Sequence, residues 1–520
     1  MSGEAGDKRA PEPKARAERT FSGNAGLQIE EPLLFEIGRG QISGVDLPEP
    51  PGNASRLGGL ERQKEIGLPG MTEPQAMRHY VRLSQKNYAI DMGTYPLGSC
   101  TMKHNPRLNE KLARLPGFAD IHPLQPQSTV QGALELMAQL AAWLCELTGM
   151  PSVALSPKAG AHGELCGMTA IRAAHEAKGE KRSLVLVPES AHGTNPATAA
   201  LLGYGVKAFP ARDDGTVSVD AVREAISDDV AGIMLTNPNT CGLFERDIIE
   251  IAEAVHEVGA YFYCDGANFN AIVGKVRPGD LGIDCMHINL HKTFSTPHGG
   301  GGPGSGPVVF SQALAPFAPV PFVVRRSDSY HLVETGDDAG GETPFGRLTA
   351  FHGQMGMFVR ALAYMLSHGA DGMRQASEDA VLNANYLRAA LSDVMSQPFG
   401  DRPCMHEVLF DDTFLNGSGI TTHDLAKALI DEGYHPMTVY FPLVAHGAML
   451  VEPTESESKA ELDGFIEVMR DLARSAKSGD MARFKDAPRH APRRRLDETQ
   501  AAREPVLRWH DKSAERDAAE

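Results

Sequence analysis

Two stretches, YFYCDGAN at residues 261–268 and CMHINLHKT at residues 285–293, decide the fold of this chain. Each begins with a run of mostly apolar residues, which predicts a short strand buried in a sheet. A carboxylate, Asp265, ends the first run, and an amine, Lys292, follows the second. Because open α/β sheets bind ligands beyond the carboxyl ends of their strands, the pattern predicts that both side chains face one site.

Lys292 and Asp265 together are the two protein groups that pyridoxal phosphate requires. A lysine amine holds this cofactor as a Schiff base, and a carboxylate keeps its pyridine nitrogen protonated so that the ring accepts electrons. A free lysine has a pKa of about 10.4 and is a poor nucleophile until its surroundings lower that value. The residues before Lys292 are apolar except for Asn289 and two histidines, which favours partial desolvation. An isolated lysine is usually a surface residue, and the pairing with Asp265 outweighs that alternative.

Composition limits the class of protein. The chain has 520 residues, 42% of them hydrophobic, and no apolar run long enough to cross a bilayer, so we expect a soluble protein of two or more domains. A net charge of −17 disfavours nucleic-acid binding. The first twenty residues contain no hydrophobic stretch, which argues against a secretory signal. Seven scattered cysteines without a Cys-x-x-Cys pair indicate reduced thiols and a cytoplasmic location.

Strand and helix signals alternate through the middle of the chain. Short apolar runs predict strands at residues 183–187, 232–236, 260–264, 286–290 and 308–310. Apolar residues at helical spacing predict helices at residues 132–149, 164–178, 219–227 and 247–258. Further on, helices are predicted at 348–368 and 372–395 and strands at 406–410 and 449–452. The alternation predicts an α/β fold with a largely parallel sheet, followed by a smaller α+β segment.

Changes in composition predict the domain boundaries. We expect a disordered leader at 1–27 and an N-terminal arm at 28–90, followed by a large cofactor-binding domain at 91–346. A small C-terminal domain is predicted at 347–483 and a charged, proline-rich tail at 484–520. The tail is expected to wrap over the surface or to be disordered.

A loop of small residues precedes the predicted helix 164–178 and is a candidate phosphate site. Gly160 and Ala161 let backbone N–H groups at a helix N-terminus approach a phosphate, and His162 follows them. The alternative for this segment alone is a tight turn with a helix cap.

Two polar residues near other strand ends complete the predicted cofactor site. His192 is expected to stack on the pyridine ring, or alternatively to cap the next helix. Asn237 is a candidate donor to the cofactor's phenolic oxygen, or the first residue of an Asn-Pro turn. Ala267, beside Asp265, and His291, beside Lys292, are also included in the predicted site.

Two other ligands were weighed for the residues around Lys292. The run Gly299–Gly304 matches the dinucleotide fingerprint G-x-G-x-x-G, but a strand rather than a helix follows it, so we do not expect NAD. The histidines 287, 291 and 298 lack the carboxylates of a hydrolytic zinc site, so no metal is expected.

Several motifs resemble the glycine decarboxylases, the P-proteins of the glycine cleavage system. The similar segments are Asp265–Ala271, Asn289–Phe294, Pro297–Gly304, Gly98–Lys103, Gly160–Glu164, Ser190–Pro196 and Arg495–Thr499. The resemblance covers about residues 30–510, and the block around Lys292 is its most specific part. Members occur as one long chain or as two subunits. The start of this chain, Phe35–Arg39, is similar to the start of the C-terminal half of the long form, which identifies the second, lysine-bearing subunit.

The resemblance implies a fold-type I enzyme with a seven-stranded type of sheet and pyridoxal phosphate bound covalently to Lys292. It also implies decarboxylation of glycine, with transfer of the aminomethyl group to the lipoyl arm of the H-protein. The implied partners are a homologous first subunit, in an α₂β₂ tetramer, and the lipoylated H-protein. Two alternatives remain open: another fold-type I enzyme, such as an aminotransferase, aldolase or cysteine desulfurase, and a scaffold subunit without cofactor.

Overall fold

A computed structural model of the chain describes residues 27, 29–38, 40, 42–45, 47–48, 56–64, 66–298 and 304–509. The predicted leader lies almost entirely outside these residues, as do most of the glycine run 299–304 and the end of the predicted tail. Contacts divide the chain into two compact units. One comprises residues 1–88 and 487–520, and the other comprises residues 89–486.

The helices of the described residues are numbered in chain order: α1 (Leu34–Ile37), α2 (Glu73–Gln85), α3 (Arg107–Ala113), α4 (Pro116–Ala119), α5 (Gln131–Thr148), α6 (Gly160–Ala177), α7 (Thr194–Leu201), α8 (Val219–Ala225), α9 (Ile248–Glu257), α10 (Leu290–Thr293), α11 (Met355–Leu391), α12 (Thr422–Asp431), α13 (Lys459–Ser478), α14 (Met481–Lys485) and α15 (Glu498–Arg503). None of these described helices is long and apolar enough to cross a membrane.

The strands are numbered in the same way: β1 (Ser152–Ala154), β2 (Leu184–Pro188), β3 (Gly205–Phe209), β4 (Val230–Thr236), β5 (Tyr261–Asp265), β6 (Cys285–His287), β7 (Val308–Phe310), β8 (Phe322–Arg326), β9 (Ser329–Val333), β10 (Val408–Phe410), β11 (Thr438–Val439) and β12 (Met449–Val451).

The first unit contains α1, α2 and α15, and α2 contacts the buried carboxylate of Glu31. Glu31 accepts two hydrogen bonds from the Arg82 guanidinium, at 2.7 and 2.6 Å, and its Oε1 lies 2.9 Å from Nδ1 of His79. The hydrogen bonds from Arg82 lower the pKa of Glu31 despite its burial. Thr72 and Gln75 form a capping box that starts α2. The contact between Glu31 and Arg82 and the cap at Thr72 therefore stabilise α2 in this unit.

Seven strands of the second unit form one sheet in the order β1-β7-β6-β5-β4-β2-β3. The five strands from β2 to β6 run parallel to their neighbours, whereas β7 is antiparallel to β6 and β1 is antiparallel to β7. All residues of β4 and β5 are buried, as a parallel sheet covered on both faces requires. The predicted α/β fold with a mostly parallel seven-stranded sheet is confirmed.

Helices cover both faces of this sheet. Alternate residues of β5 point to opposite faces, so Phe262 joins the core formed with α5 and α9, and Tyr263 joins the core formed with α6. In α5 the buried positions Leu134, Met137 and Leu140 repeat at the spacing of one helix face. Each such fully buried side chain contributes roughly 1.5–3 kcal/mol. Because β4, β5 and β6 are parallel, their carboxyl ends lie side by side at the same end of the sheet.

The C-terminal part of the second unit has a separate antiparallel sheet, in the order β10-β12-β11, and α11 and α12 contact its strands. The long helix α11 is kinked at Gly369, whose φ of +63° lies in the left-handed region that favours glycine. The sequence predicts a break at this place, between residues 368 and 372. The division of residues 89–486 at position 347 stays a prediction.

Two sequence predictions differ from the structure, and several elements of the structure have no counterpart in the prediction. The strand predicted at 286–290 ends at His287, and Lys292 lies on the helical turn α10 instead of directly after a strand. The helix predicted from residue 348 begins at Met355. Strand β3 was not predicted, because four of its five residues are exposed and leave no apolar run. The sequence also does not predict the hairpin of β8 and β9. The predicted tail contains a helix, α15, whose N-cap is Asp497.

Candidate active site

A cavity of about 540 Å³ lies at the carboxyl ends of the central strands. Thr236 ends β4, Asp265 ends β5 and His287 ends β6, and all three line the cavity. Other parts of the wall come from the N-terminal end of α6, from a loop at residues 97–100, from Thr438 of β11 and from Phe441. The cavity therefore occupies the place where open α/β sheets bind their ligands.

Lys292 reaches into this cavity from α10. Its Nζ donates a hydrogen bond to the carbonyl oxygen of Ser99 at 2.7 Å. Ser99 has a φ of +58° and Thr101 a φ of +40°, so both have a backbone conformation that residues other than glycine rarely adopt. The loop is thus shaped to present a backbone acceptor to the lysine.

Asp265 is buried at the bottom of the cavity, with 3% of its surface exposed. Its carboxylate accepts hydrogen bonds from the Ala267 N–H at 2.9 Å and from Asn195 Nδ2 at 3.2 Å, and His287 Nε2 lies 3.5 Å away. Burial opposes ionisation, but His287, the Ala267 N–H and Lys292 outweigh it and lower the pKa of Asp265. The group is therefore an anion that can hold a proton on a basic ring nitrogen.

His287 is held by a second layer of polar groups. The hydroxyl of Tyr263 lies 2.6 Å from His287 Nδ1, and Asn289 Oδ1 lies 3.0 Å from Nε2. Because the amide oxygen can only accept, Nε2 carries a hydrogen, and the Tyr263 hydroxyl contacts the other ring nitrogen. His287 is thereby fixed in one orientation behind Asp265.

Six of the nine predicted site residues line the cavity. They are Lys292, Asp265, Ala267, His192, Gly160 and Ala161. The structure brings them together from four separate elements. What each does toward a cofactor stays a prediction.

The other three predicted site residues lie outside the cavity lining. Nδ1 of His162 accepts a hydrogen bond from the backbone of Lys158 at 3.3 Å. His291 is neutral, because burial lowers its pKa to about 3, and its ring packs on His298. The Oδ1 of Asn237 accepts from the backbone of Glu245, whereas its Nδ2 is buried without a partner.

His192 borders the cavity and also contacts the start of α7. Its Nδ1 accepts a hydrogen bond from the backbone N–H of Thr194 at 3.2 Å, and its ring packs edge-on against Phe441 with a 5.6 Å separation of centroids. This contact reaches the first residue of α7, whose N-cap is Gly193 without a side-chain cap hydrogen bond, so capping of the helix by His192 stays a prediction. Stacking of His192 on a cofactor stays a prediction.

Several cavity residues were not predicted. Glu164 belongs to the quoted motif at 160–164, and its position on the first turns of α6 could have indicated that it faces the same site as Gly160. Asn268 follows Asp265 and lines the cavity as well. Ser99 lies in the similar segment Gly98–Lys103, but neither Ser99 nor Phe441 follows a strand of the seven-stranded sheet.

A buried group of one histidine and two glutamates lies behind the loop at residues 97–101. Atoms of His406, Glu407 and Glu452 lie within 4.8 Å of one another. Glu407 accepts from the backbone and hydroxyl of Ser99, and Glu452 accepts from the backbone and hydroxyl of Thr101. The two carboxyl groups therefore hold the two left-handed residues in place.

The cavity fits pyridoxal phosphate. A Cβ added at Gly160 would lie 2.7 Å from Asn289 Nδ2, so the start of α6 leaves room only for backbone, as a phosphate cradle requires. Asn237 lies outside the cavity lining, but its buried Nδ2 is a donor without an acceptor. An amine at Lys292 and an anion at Asp265 supply the remaining functional groups.

Comparison with known proteins supports the class of enzyme. A profile of the family "Aminotransferase class-V" matches residues 164–302. A crystal structure of glycine decarboxylase (P-protein) of the glycine cleavage system, in inhibitor-bound form, aligns with a TM-score of 0.65 at 20% identity over 82% of this chain and 91% of that chain. A Lactobacillus brevis glutamate decarboxylase aligns with a TM-score of 0.59 at 15% identity over 83% and 96%. The fold is that of the pyridoxal phosphate enzymes of fold type I.

Sequence comparison identifies the family within that class. The chain is 66% identical over 508 residues to a probable glycine dehydrogenase (decarboxylating) subunit 2 from Caulobacter vibrioides, covering 97% of each chain. It is 48% identical to the protein of the same description from Caldanaerobacter subterraneus, over 92% of this chain and 98% of that one. A profile described as "Glycine dehydrogenase, C-terminal domain" matches residues 376–493. The chain belongs to the family of glycine dehydrogenase (decarboxylating) subunit 2.

Proposed function

We propose that the chain decarboxylates glycine with pyridoxal phosphate and transfers the aminomethyl group to the lipoyl arm of the H-protein, releasing CO₂. The observation that carries the proposal is the shared cavity of Lys292 and Asp265, in a chain that belongs to this family. When bound, the cofactor supplies the electron sink for loss of the glycine carboxylate.

The predicted site residues have the following roles toward the cofactor in this proposal. Lys292 would hold the cofactor covalently through Nζ, with loss of water from the aldehyde. Gly160 and Ala161 bind its phosphate through backbone N–H groups at the start of α6. Asn237 donates to its phenolic oxygen through the unpartnered Nδ2. His192 stacks on its ring.

Two charged groups carry the chemistry of the protein. Asp265 keeps a proton on the pyridine nitrogen, because the lowered pKa of this buried carboxyl keeps it anionic. Lys292 would exchange places with glycine on the cofactor, and the Ser99 carbonyl, which accepts from its amine in the present structure, would then hold it. The lysine thus stays beside the reacting carbon and can exchange a proton with it.

The second half of the reaction requires a group from outside the chain. The aminomethyl carbon bonds to one sulfur of the lipoyl disulfide, and the sulfur–sulfur bond breaks with reduction of the other sulfur to a thiol. All seven cysteines of this chain are free, so the chain holds no internal disulfide to accept the carbon. We propose that a lipoylated H-protein supplies the disulfide, and that a homologous first subunit completes an α₂β₂ enzyme.

Covalent labelling tests the cofactor assignment. The protein is incubated with pyridoxal phosphate, reduced with borohydride and cleaved for peptide mapping. The label is expected on Lys292 and is expected to disappear in Lys292→Ala. A label on Lys103, Lys158 or Lys275 would contradict the assignment, and absence of label with no absorption band would favour the scaffold interpretation.

Exchange of CO₂ with the glycine carboxyl tests the reaction. The rate is measured with the chain alone, with the partner subunit added, and with partner and lipoylated H-protein together. The chain alone is expected to be nearly inactive and the full mixture active. Turnover of another amino acid by the isolated chain would instead favour a different fold-type I enzyme.

A further inference from the structure

Three side chains on one wall of the cavity are joined in a row. Thr194 Oγ1 lies 2.6 Å from Glu164 Oε1 and 2.8 Å from His192 Nδ1. The backbone nitrogen of Thr194 lies 3.2 Å from the same Nδ1. All three residues line the cavity that Lys292 and Asp265 share. The threonine hydroxyl is therefore the link between a carboxyl group and an imidazole.

Counting hydrogens shows that this row has two arrangements. A hydroxyl has one hydrogen, so Thr194 donates either to Glu164 or to His192. If Glu164 is ionised, Thr194 donates to it, and His192 Nδ1 must carry a hydrogen to donate to Thr194. If Glu164 is protonated, it donates to Thr194, which donates to an Nδ1 that carries no hydrogen. Only the second arrangement also lets Nδ1 accept the backbone N–H of Thr194.

We infer that Glu164, through the hydroxyl of Thr194, decides which ring nitrogen of His192 carries the proton. In one direction, a proton from the cavity binds Nε2 and the Nδ1 proton passes to Thr194 Oγ1. The hydroxyl hydrogen of Thr194 passes to Glu164 Oε1 at the same time. The ring ends neutral with its hydrogen on Nε2, and Glu164 ends protonated, so one proton has entered and no charge remains on the ring.

The surroundings of Glu164 favour storage of this proton. Glu164 is 3% exposed, and burial followed by repulsion from Asp265 raises the pKa of its carboxyl, although His287 opposes the shift. The titratable groups that face it are Asp265 and Tyr263 from β5, His287 from β6 and, through the threonine, His192. A second negative charge beside Asp265 is disfavoured in this setting.

The consequence for catalysis rests on the proposed function. A protonated pyridine ring is positively charged, and an imidazolium stacked on it would add a repulsive charge. Passing the proton to Glu164 keeps His192 neutral on the cofactor. Glu164 and Thr194 are therefore positioning residues, because they act through His192.

We call this proton transfer between His192, Thr194 and Glu164 the relay. It is tested by ¹⁵N NMR of the histidine side chains in the full chain, without cofactor or glycine. The chain has 19 histidines, so the His192 signals are assigned as those lost in His192→Phe. In the wild type, raising the pH through the titration of Glu164 should convert the neutral ring from the Nε2–H to the Nδ1–H form. The conversion should be lost in Thr194→Val and in Glu164→Gln, whose amide keeps the ring as Nε2–H, and it should return in Thr194→Ser.

Thr198→Val is the matched control, because Thr198 donates to Glu164 Oε2 at 3.2 Å but is not in the row with His192. The conversion should persist in this variant. Absence of conversion in the wild type, or an unchanged conversion in Thr194→Val or Glu164→Gln, would overturn the inference. Either result would leave the labelling of Lys292 unaffected, and a failure of that labelling would not remove the relay.

Discussion

Nζ of Lys103 donates a hydrogen bond at 2.8 Å to the carbonyl oxygen of Thr293, the residue that follows Lys292. The same ammonium group donates to Asn270 Oδ1 at 2.8 Å and to Glu455 Oε1 at 2.5 Å. Burial lowers the pKa of Lys103, but the charge of Glu455 outweighs it and the net shift is upward. A buried ion pair therefore fixes the turn that carries the proposed cofactor lysine.

Lys103→Met is expected to destabilise the protein by about 3–5 kcal/mol, because it leaves the Glu455 carboxylate buried without its partner. Lys275→Met is the control: its contact with Glu378 is 2.8 Å long but about half exposed, so a loss below about 1 kcal/mol is expected. The measurement is urea unfolding of both variants. Equal losses would show that burial of the first pair contributes nothing.

The sequence predicts the centre of the site because Asp265 and Lys292 follow apolar runs that local pattern makes visible. It does not predict Lys103, Glu407 or Glu452 as buried groups. Charged residues are almost always exposed unless paired, and their partners are distant in the chain. Glu407, for example, contacts Ser99 across 308 positions, which leaves no periodic signal.

Asp265→Asn is expected to retain the cofactor but to lose about 100-fold or more in glycine-dependent CO₂ exchange, as for removal of one preorganised electrostatic group. The amide oxygen can still accept from the Ala267 N–H, but a neutral amide does not hold a proton on the pyridine nitrogen. Asp284→Asn controls for loss of a buried carboxylate, because Asp284 accepts from the Phe262 N–H away from the cavity. Near-normal exchange in Asp265→Asn would remove it from the mechanism.

Glu452→Gln is expected to flatten the dependence of stability on pH. Burial raises the pKa of Glu452 to about 7, so the folded state holds a proton that the unfolded state releases above about pH 4.5. The resulting stabilisation is present at low pH and is lost as the pH rises towards about 7, with a slope of at most about 1.4 kcal/mol per pH unit. In wild type the Thr101 N–H and hydroxyl both donate to Glu452, and a glutamine keeps one amide oxygen that can accept from the Thr101 N–H.

The measurement is the free energy of unfolding as a function of pH in the wild type and in Glu452→Gln. Glu378→Gln is the control, because Lys275 lowers the pKa of that exposed carboxyl and its small contribution has the opposite sign. A slope between about pH 4.5 and 7 that is the same in the wild type and in Glu452→Gln would show that another group holds the proton.

Only some residues of the cavity wall can be predicted from local sequence. Gly160 and Ala161 could be assigned because small residues before a helix have a known use at phosphates. Thr438 and Phe441 could not, since they reach the cavity only through the packing of the C-terminal sheet. For Glu164, the sequence shows the motif that contains it. Its contact with Thr194 could not be predicted, because it depends on how α6 and α7 pack.

Gly160→Ala is expected to weaken cofactor binding roughly tenfold to a hundredfold, which corresponds to about 1–3 kcal/mol of overpacking. The added methyl group would lie 2.7 Å from Asn289 Nδ2 and 3.2 Å from His287 Nε2, so the side chains behind Asp265 would have to move. Gly132→Ala is the matched control near the start of α5, where the methyl group meets open space and is expected to add up to about 1 kcal/mol of helix stability. Equilibrium dialysis against pyridoxal phosphate measures the affinity of both variants. Unchanged affinity in Gly160→Ala would mean that the phosphate binds elsewhere than at the start of α6.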